Sequence, residues 1–236
     1  MKSYYVRNNF ECEIIQMKYL RYFIFNAHEN GCPWNEKTCK NAAFMNKLEY
    51  LKYAHENGCP WNELTCEQAA YKGNIECLKY AHENGCPWNV WTCIYAAQYG
   101  QLECLKYAHE NGCPLSERLF CDENIHHGYF SYVDENNYIY CDIVTALAID
   151  NNKPECLEYA HKNGCPMHKS GCIWAAKRGY LECLKYTFKA GCTWNEKTCE
   201  EAAKRGYLKC LKYAYENGCP CDESIIEKHN LRTYKN

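Results

Sequence analysis

The chain has 236 residues, with 27 basic and 29 acidic side chains, a formal charge of −2 and a pI near 6.5. That balance gives no electrostatic case for nucleic acid or for an anionic membrane surface. No apolar run approaches the roughly 20 residues needed to span a bilayer, and Met1 to Glu13 lacks the charged-then-apolar order of a secretory signal. The chain is therefore expected in the cytoplasm.

In chain order, residues 1–21 read as an irregular N-terminal cap, and a repeat occupies residues 22–230. Its mark is the stretch Ala-His-Glu-Asn-Gly-Cys-Pro-Trp-Asn, which runs from Ala27 to Asn35 and returns unchanged at Ala54–Asn62 and Ala81–Asn89. A variant copy at Ala108–Ser116 and weaker ones around Gly164, Gly191 and Gly218 complete the set. The seven glycines are spaced 27, 27, 27, 52, 27 and 27 residues apart. A fixed period in this range is the sequence mark of stacked repeats.

The stretch has the chemistry of a joint between two helices. Glycine ends a helix in the left-handed conformation without steric cost. Proline two residues later cannot continue it. Asn35, Asn62, Asn89, Ser116, Asn195 and Asp222 then supply N-caps, with His168 the single poor one. In the first full unit a helix is expected over about Glu36 to Met45, with Cys39, Ala42 and Ala43 inward. A tight turn at Asn46 leads to a second helix over Leu48 to Asn57. The equivalent turn residues, Gly73, Gly100, Asn152, Gly179 and Gly206, all tolerate positive φ. Trp34, Trp61, Trp88 and Trp194 precede the caps and are expected to pack as staples between units.

The chain contains 21 cysteines, and they follow the period. Cys39, Cys66, Cys93, Cys172 and Cys199 share one position; Cys77, Cys104, Cys156, Cys183 and Cys210 share a second; a third set follows each period-setting glycine. In a reducing compartment a cysteine behaves as a small buried hydrophobe, so this regularity fits a layered core better than a disulfide framework. The interval of 52 residues, or 27 plus 25, holds either a degenerate unit turning at Gly128 or an insertion at about 117–141. Asp222 to Asn230 reads as a final helix, and residues 231–236 as a frayed tail.

Ala69-Ala70, Gly73, Ile75-Glu76 and Asn84-Gly85 resemble the core pattern of ankyrin repeats, and the match recurs along most of the chain. Two features depart from that family. The period is 27 rather than 33, and Thr65-Cys66-Glu67-Gln68 replaces the usual Thr-Pro-Leu-His opening. The missing residues fall where the family carries its β-hairpin finger. The resemblance is strongest to the short ankyrin-like repeats of giant DNA viruses. It implies an all-α, ankyrin-like solenoid of stacked helix-turn-helix repeats with little or no β-hairpin finger. It further implies a monomeric, non-enzymatic scaffold for protein–protein interaction, engaging a host protein in the host cytoplasm if the chain is viral.

Solenoids bind through positions that differ between units. One first-helix stripe reads Lys37-Asn41-Met45, Leu64-Gln68-Lys72, Trp91-Tyr95-Tyr99, Ser170-Trp174-Arg178 and Lys197-Glu201-Arg205. Spacing of i, i+4, i+8 places each trio on one helical face. The expected partner-binding patch is Trp91, Ile94, Tyr95, Tyr99 and Trp174, since exposed aromatics anchor interfaces. The other reading packs these side chains against residues 117–141. A second functional class is a structural zinc protein using the recurring His-x3-Cys-x6-Cys, as in His55, Cys59 and Cys66. Against it, Phe188 and Tyr215 replace the histidine in two units, which packing tolerates and coordination does not. No metal, cofactor or catalytic residue is assigned: the phosphate loop, Gly-x-Ser-x-Gly and His-Glu-x-x-His motifs are all missing.

Overall fold

The computed structural model describes residues 34–115 and 143–234, together with the backbone of residues 119–120 and 138–139. The expected N-terminal cap, Gly128 and the core of the interval lie outside them. The chain falls into two compact units, Met1–Thr92 and Cys93–Asn236.

In the first unit α1 (Glu36–Phe44) and α2 (Leu48–Glu56) form one pair, and α3 (Glu63–Lys72) and α4 (Ile75–Glu83) the next. First helices pack on first helices and second helices on second, α1 on α3 and α2 on α4. This arrangement follows from composition. Cys39, Ala42 and Ala43 on α1, and Cys66, Ala69 and Ala70 on α3, are at most 3% exposed. Such small side chains let neighbouring backbones approach closely. Leu51 and Leu78 fill the space under the second helices.

The second unit holds α5 (Val90–Tyr99) from Cys93 onward, α6 (Leu102–Glu110), α7 (Ile143–Asp150) and α8 (Pro154–Lys162). It continues with α9 (Gly171–Arg178), α10 (Leu181–Lys189), α11 (Glu196–Lys204), α12 (Leu208–Glu216) and α13 (Glu223–Lys228). The same two-row stacking recurs: α7, α9 and α11 form one row, and α6, α8, α10 and α12 the other. Each unit is thus built as an all-α solenoid. The connections between pairs, such as residues 57–62, carry no strand. The only described strands are two residues each, β1 (Leu119–Phe120) and β2 (Tyr138–Ile139), paired antiparallel.

The turns are where backbone chemistry decides the fold. Asn46 and Asn152 take φ of 54° and 55°, and Gly73, Gly100, Gly179 and Gly206 take 75–78°. At Gly73 the left-handed turn lets its N–H reach Ala70 O and the Asn74 N–H reach Ala69 O, which satisfies the orphan carbonyls of α3. Side chains of Asn35, Asn62, Asn195 and Asp222 accept from the backbone as expected N-caps do. His168 is not the cap expected: α9 begins at Gly171 with Ser170 as its N-cap, and His168 Nδ1 accepts from the Ser170 N–H at 3.0 Å in the turn before it.

Helix α6 stacks directly on α8. The Cys165 thiol meets Leu115 O at 3.9 Å, and a Cβ on Gly100 would lie 2.7 Å from Lys153 Cδ. The degenerate unit or insertion expected at about 117–141 falls on residues of which only 119–120 and 138–139 are described. The C-terminal tail stays ordered further than expected. Residues Leu231–Tyr234 form a 3-10 helix, and the fully buried Leu231 closes the end of the stack.

Candidate partner-binding surface

The stripe is accessible on α1, α3, α5, α9 and α11, whereas the equivalent α7 positions Ile143 and Leu147 are 6% and 3% exposed. On those five helices Lys37, Leu64, Lys72, Arg178, Lys197 and Arg205 are exposed, and the other stripe residues are half-buried. The neighbouring positions are closed: Thr65, Cys66, Ala69 and Ala70 are all 0% exposed. On one helix, therefore, repeated residues build the core while differing residues meet solvent.

The chemistry of the stripe changes along the chain. Lys72 Nζ sits 4.5 Å from the ring centroid of Phe44, which itself stacks on Tyr71 at 6.0 Å. Arg178 pairs with Asp150 at 2.6 Å, and Arg205 with Glu201 at 3.5 Å. On α5 the stripe is aromatic, and Trp91, Tyr95 and Tyr99 lie half-buried along one face. Ile94 does not join them. It is 0% exposed, because a helical position one residue short of Tyr95 is rotated about 100° toward the core. Trp174 is half-buried on α9 with its ring stacked on His168 at 3.9 Å. Any packing of these aromatics against residues 117–141 falls outside the described residues.

The repeated histidines belong to a stapling seam that sequence reasoning assigned to plain core packing. His55 stacks on Trp61 at 3.7 Å and its Nδ1 lies 3.1 Å from the Tyr80 hydroxyl of the next second helix. Tyr80 also meets Trp61 edge-on at 6.2 Å. His161 and Tyr186 repeat the hydrogen bond at 3.0 Å. Phe188, Trp194 and Tyr213 repeat the stack with no imidazole. The signal was legible as the recurring pair of a histidine six residues before a tryptophan.

This seam also bears on zinc. His55 turns to Tyr80, whereas the Cys59 thiol turns to Asn35 O at 3.4 Å. Among the described residues no group of three His, Cys, Asp or Glu could hold a metal ion. No described helix is long and apolar enough to cross a membrane. Burial pushes the thiols on the second helices up, Cys77 and Cys210 to about 11, and Cys156 and Cys183 to about 12. Such thiols are poor nucleophiles near neutral pH.

Comparison with known proteins agrees with this architecture. Residues 66–109 match the family model described as ankyrin repeats in many copies. The structure is similar to that of the human ASB11 ankyrin repeat domain, with a TM-score of 0.59 and 16% identity over 77% of this chain and 84% of that one. No curated protein matches in sequence. Together the family match and the shared fold support ankyrin repeats in this chain, and ankyrin repeats generally mediate protein–protein interaction.

Proposed function

We propose that the chain is a non-enzymatic scaffold that binds a partner protein through the accessible edge of its first helices, with Trp91, Tyr95, Tyr99 and Trp174 as anchors. The observation that carries this reading is the accessible stripe beside a closed, repeated core. Aromatic side chains bring large apolar area with few rotatable bonds, which is why they dominate binding hot spots. The strong resemblance of the 27-residue unit to giant-virus repeats makes a host protein in the host cytoplasm the proposed partner, bound by a monomer. The Arg178–Asp150 and Arg205–Glu201 pairs on the same stripe would add polar contacts to such an interface.

Site-specific photo-crosslinking tests the surface. A photoreactive phenylalanine analogue is placed at Tyr95 or, as control, at Glu49, whose side chain is 82% exposed on a second helix. Adducts to a host-cell protein are expected from position 95 and not from 49. Adducts from 49 alone would move the interface to the second helices and overturn the proposed surface.

A further inference from the structure

Four first-helix cysteines lie against the cysteine of the loop that closes the same repeat. The Cys93 thiol lies 3.9 Å from Cys113 O and the Cys172 thiol 3.6 Å from Cys192 O, and the thiols of Cys59 and Cys219 push up those of Cys39 and Cys199. The loop thiol donates to the carbonyl 24 residues earlier, Cys59 to Asn35 O at 3.4 Å and Cys219 to Asn195 O at 3.3 Å, and Cys192 does the same to His168 O at 3.7 Å. The loop cysteines are closed off, with Cys59, Cys86, Cys113, Cys165 and Cys219 between 1% and 4% exposed.

The Cys172–Cys192 pair departs from the others in three linked ways. Gly171 stands where Thr38, Thr65, Thr92 and Thr198 stand in the other units. Thr187 stands where the other second helices have Ala54, Ala81, Ala108, Ala160 and Ala214. The two changes compensate, since a Cβ on Gly171 would lie 3.3 Å from Thr187 Cγ2. In this unit the hydroxyl therefore comes from the second helix and faces the helix thiol. Thr187 Oγ1 lies 3.4 Å from Cys172 Sγ, which also lies 3.6 Å from the Cys192 carbonyl oxygen. Thirdly, Thr193 replaces the proline that follows every equivalent loop cysteine. Cys192 is half-exposed, unlike the other described loop cysteines that follow a repeat glycine.

The electrostatics follow the Thr187 hydroxyl. In the regular pairs the helix thiols Cys39 and Cys199 are pushed up by their loop partners and by burial, and the loop thiols Cys59 and Cys219 are held below the usual range by those helix thiols. Cys172 is instead held below the usual thiol range by the Cys192 thiol and then by Thr187, against the opposing effect of burial. Cys192 is the member pushed up, by the Cys172 hydrogen bond and then by burial.

We propose that Cys172 and Cys192 are a reversible oxidative modification site, bridged to a disulfide by hydrogen peroxide in preference to the other thiol pairs. The half-exposed Cys192 sulfur is the one peroxide reaches, and it reacts as the thiolate formed when its proton passes to Cys172. It attacks one peroxide oxygen, the O–O bond breaks, and the products are a Cys192 sulfenic acid and water. Cys172 sulfur, thiolate-prone and adjacent, then attacks the Cys192 sulfur and the S–O bond breaks. The departing hydroxide takes the Cys172 proton to give a second water. Overall the two thiols lose two electrons and two protons, and peroxide is reduced to two waters. The bridge would tie α9 to the loop that leads into Trp194 and the Asn195 cap.

The test treats the fully reduced, full-length chain with stepwise peroxide, followed by differential alkylation and peptide mass spectrometry. The Cys172–Cys192 bridge is expected to form at least about tenfold faster than Cys39–Cys59 or Cys199–Cys219, because access sets thiol oxidation rates and Cys192 is half-exposed where Cys59 and Cys219 are closed off. Dithiothreitol is expected to restore both thiols. Equal rates at the regular pairs, earlier bridging through half-exposed Cys221, or no bridge at all would overturn the proposal. In a Cys172→Ser chain, Cys192 is expected to hold a sulfenic acid that dimedone traps. Absence of that adduct in a folded variant would contradict the assigned order of steps, and the wild-type titration decides if the variant does not fold.

Discussion

His109 Nδ1 lies 3.0 Å from the hydroxyl of Tyr159, a residue 50 positions further along the chain. The equivalent bond between His55 and Tyr80 spans only 25. The same joint is therefore made with and without 25 intervening residues. Deleting residues 117–141 should leave the stack intact, with unchanged helical circular dichroism and a Tm within a few degrees. Loss of the α7 and α8 helical signal in that deletion would mean the segment supports the stack after all.

The histidine in this seam works first as a flat ring. Phe188 occupies the same place over Trp194 at 3.7 Å. His109→Phe should therefore cost about 1 kcal/mol, the net worth of one hydrogen bond, and the Tyr159 hydroxyl still has Glu110 at 3.5 Å. His109→Ala should cost about 3 kcal/mol, because it also removes the packed ring. Urea unfolding of both variants checks the order; an alanine variant as stable as the phenylalanine one would refute the stapling role.

Alkaline pH should destabilise the protein progressively above pH 9. Cys77, Cys156, Cys183 and Cys210 are pushed up to about 11 or 12 by burial, against about 9 in the unfolded chain. A raised value means the folded state keeps its proton, so this stability is present below pH 9 and lost as pH rises toward 11–12. Each such thiol should remove about 1 kcal/mol between pH 9 and pH 10. Denaturant titrations in reductant at pH 7.5, 9 and 10 measure the slope. A flat profile would mean these thiols are not held in an apolar core.

Glu67 is only 6% exposed, and burial raises its carboxyl above the ordinary range against a hydrogen bond with Asn89 that opposes the shift. Its contribution is favourable in acid and becomes a cost as pH rises through the folded value. Glu67→Gln keeps the hydrogen bond to Asn89 and drops the charge. Thermal melts should show a higher Tm than wild type at pH 7 and no gain at pH 4. A variant destabilised at pH 7 would show that the charge itself is used.

The punctuation of the fold was legible because few residues tolerate what the joints demand. Asn46, Gly73, Gly100, Asn152, Gly179 and Gly206 all adopt positive φ, and a non-glycine side chain other than Asn does so at a cost. The cysteine periods were legible for a similar reason: positions such as Cys39, Cys77 and Cys93 are closed to solvent, so only small or apolar side chains recur there. What escaped depends on contacts between units. Ile94 shares the aromatic composition of its helix, yet its angular position puts it at 0% exposure. The exchange of Gly171 and Thr187 needed coordinates, since the two residues are 16 apart in sequence and adjacent in space.

The central claim is that repeated residues build this protein and differing ones bind. Its most direct measurement compares host-cell proteins captured by the full chain and by a Trp91→Ala, Tyr95→Ala variant, after equal Tm values show that both are folded. The account predicts that at least one protein enriched by the wild type falls about tenfold or more with the variant, as loss of hot-spot aromatics should produce. Capture of the same proteins at undiminished yield would contradict it.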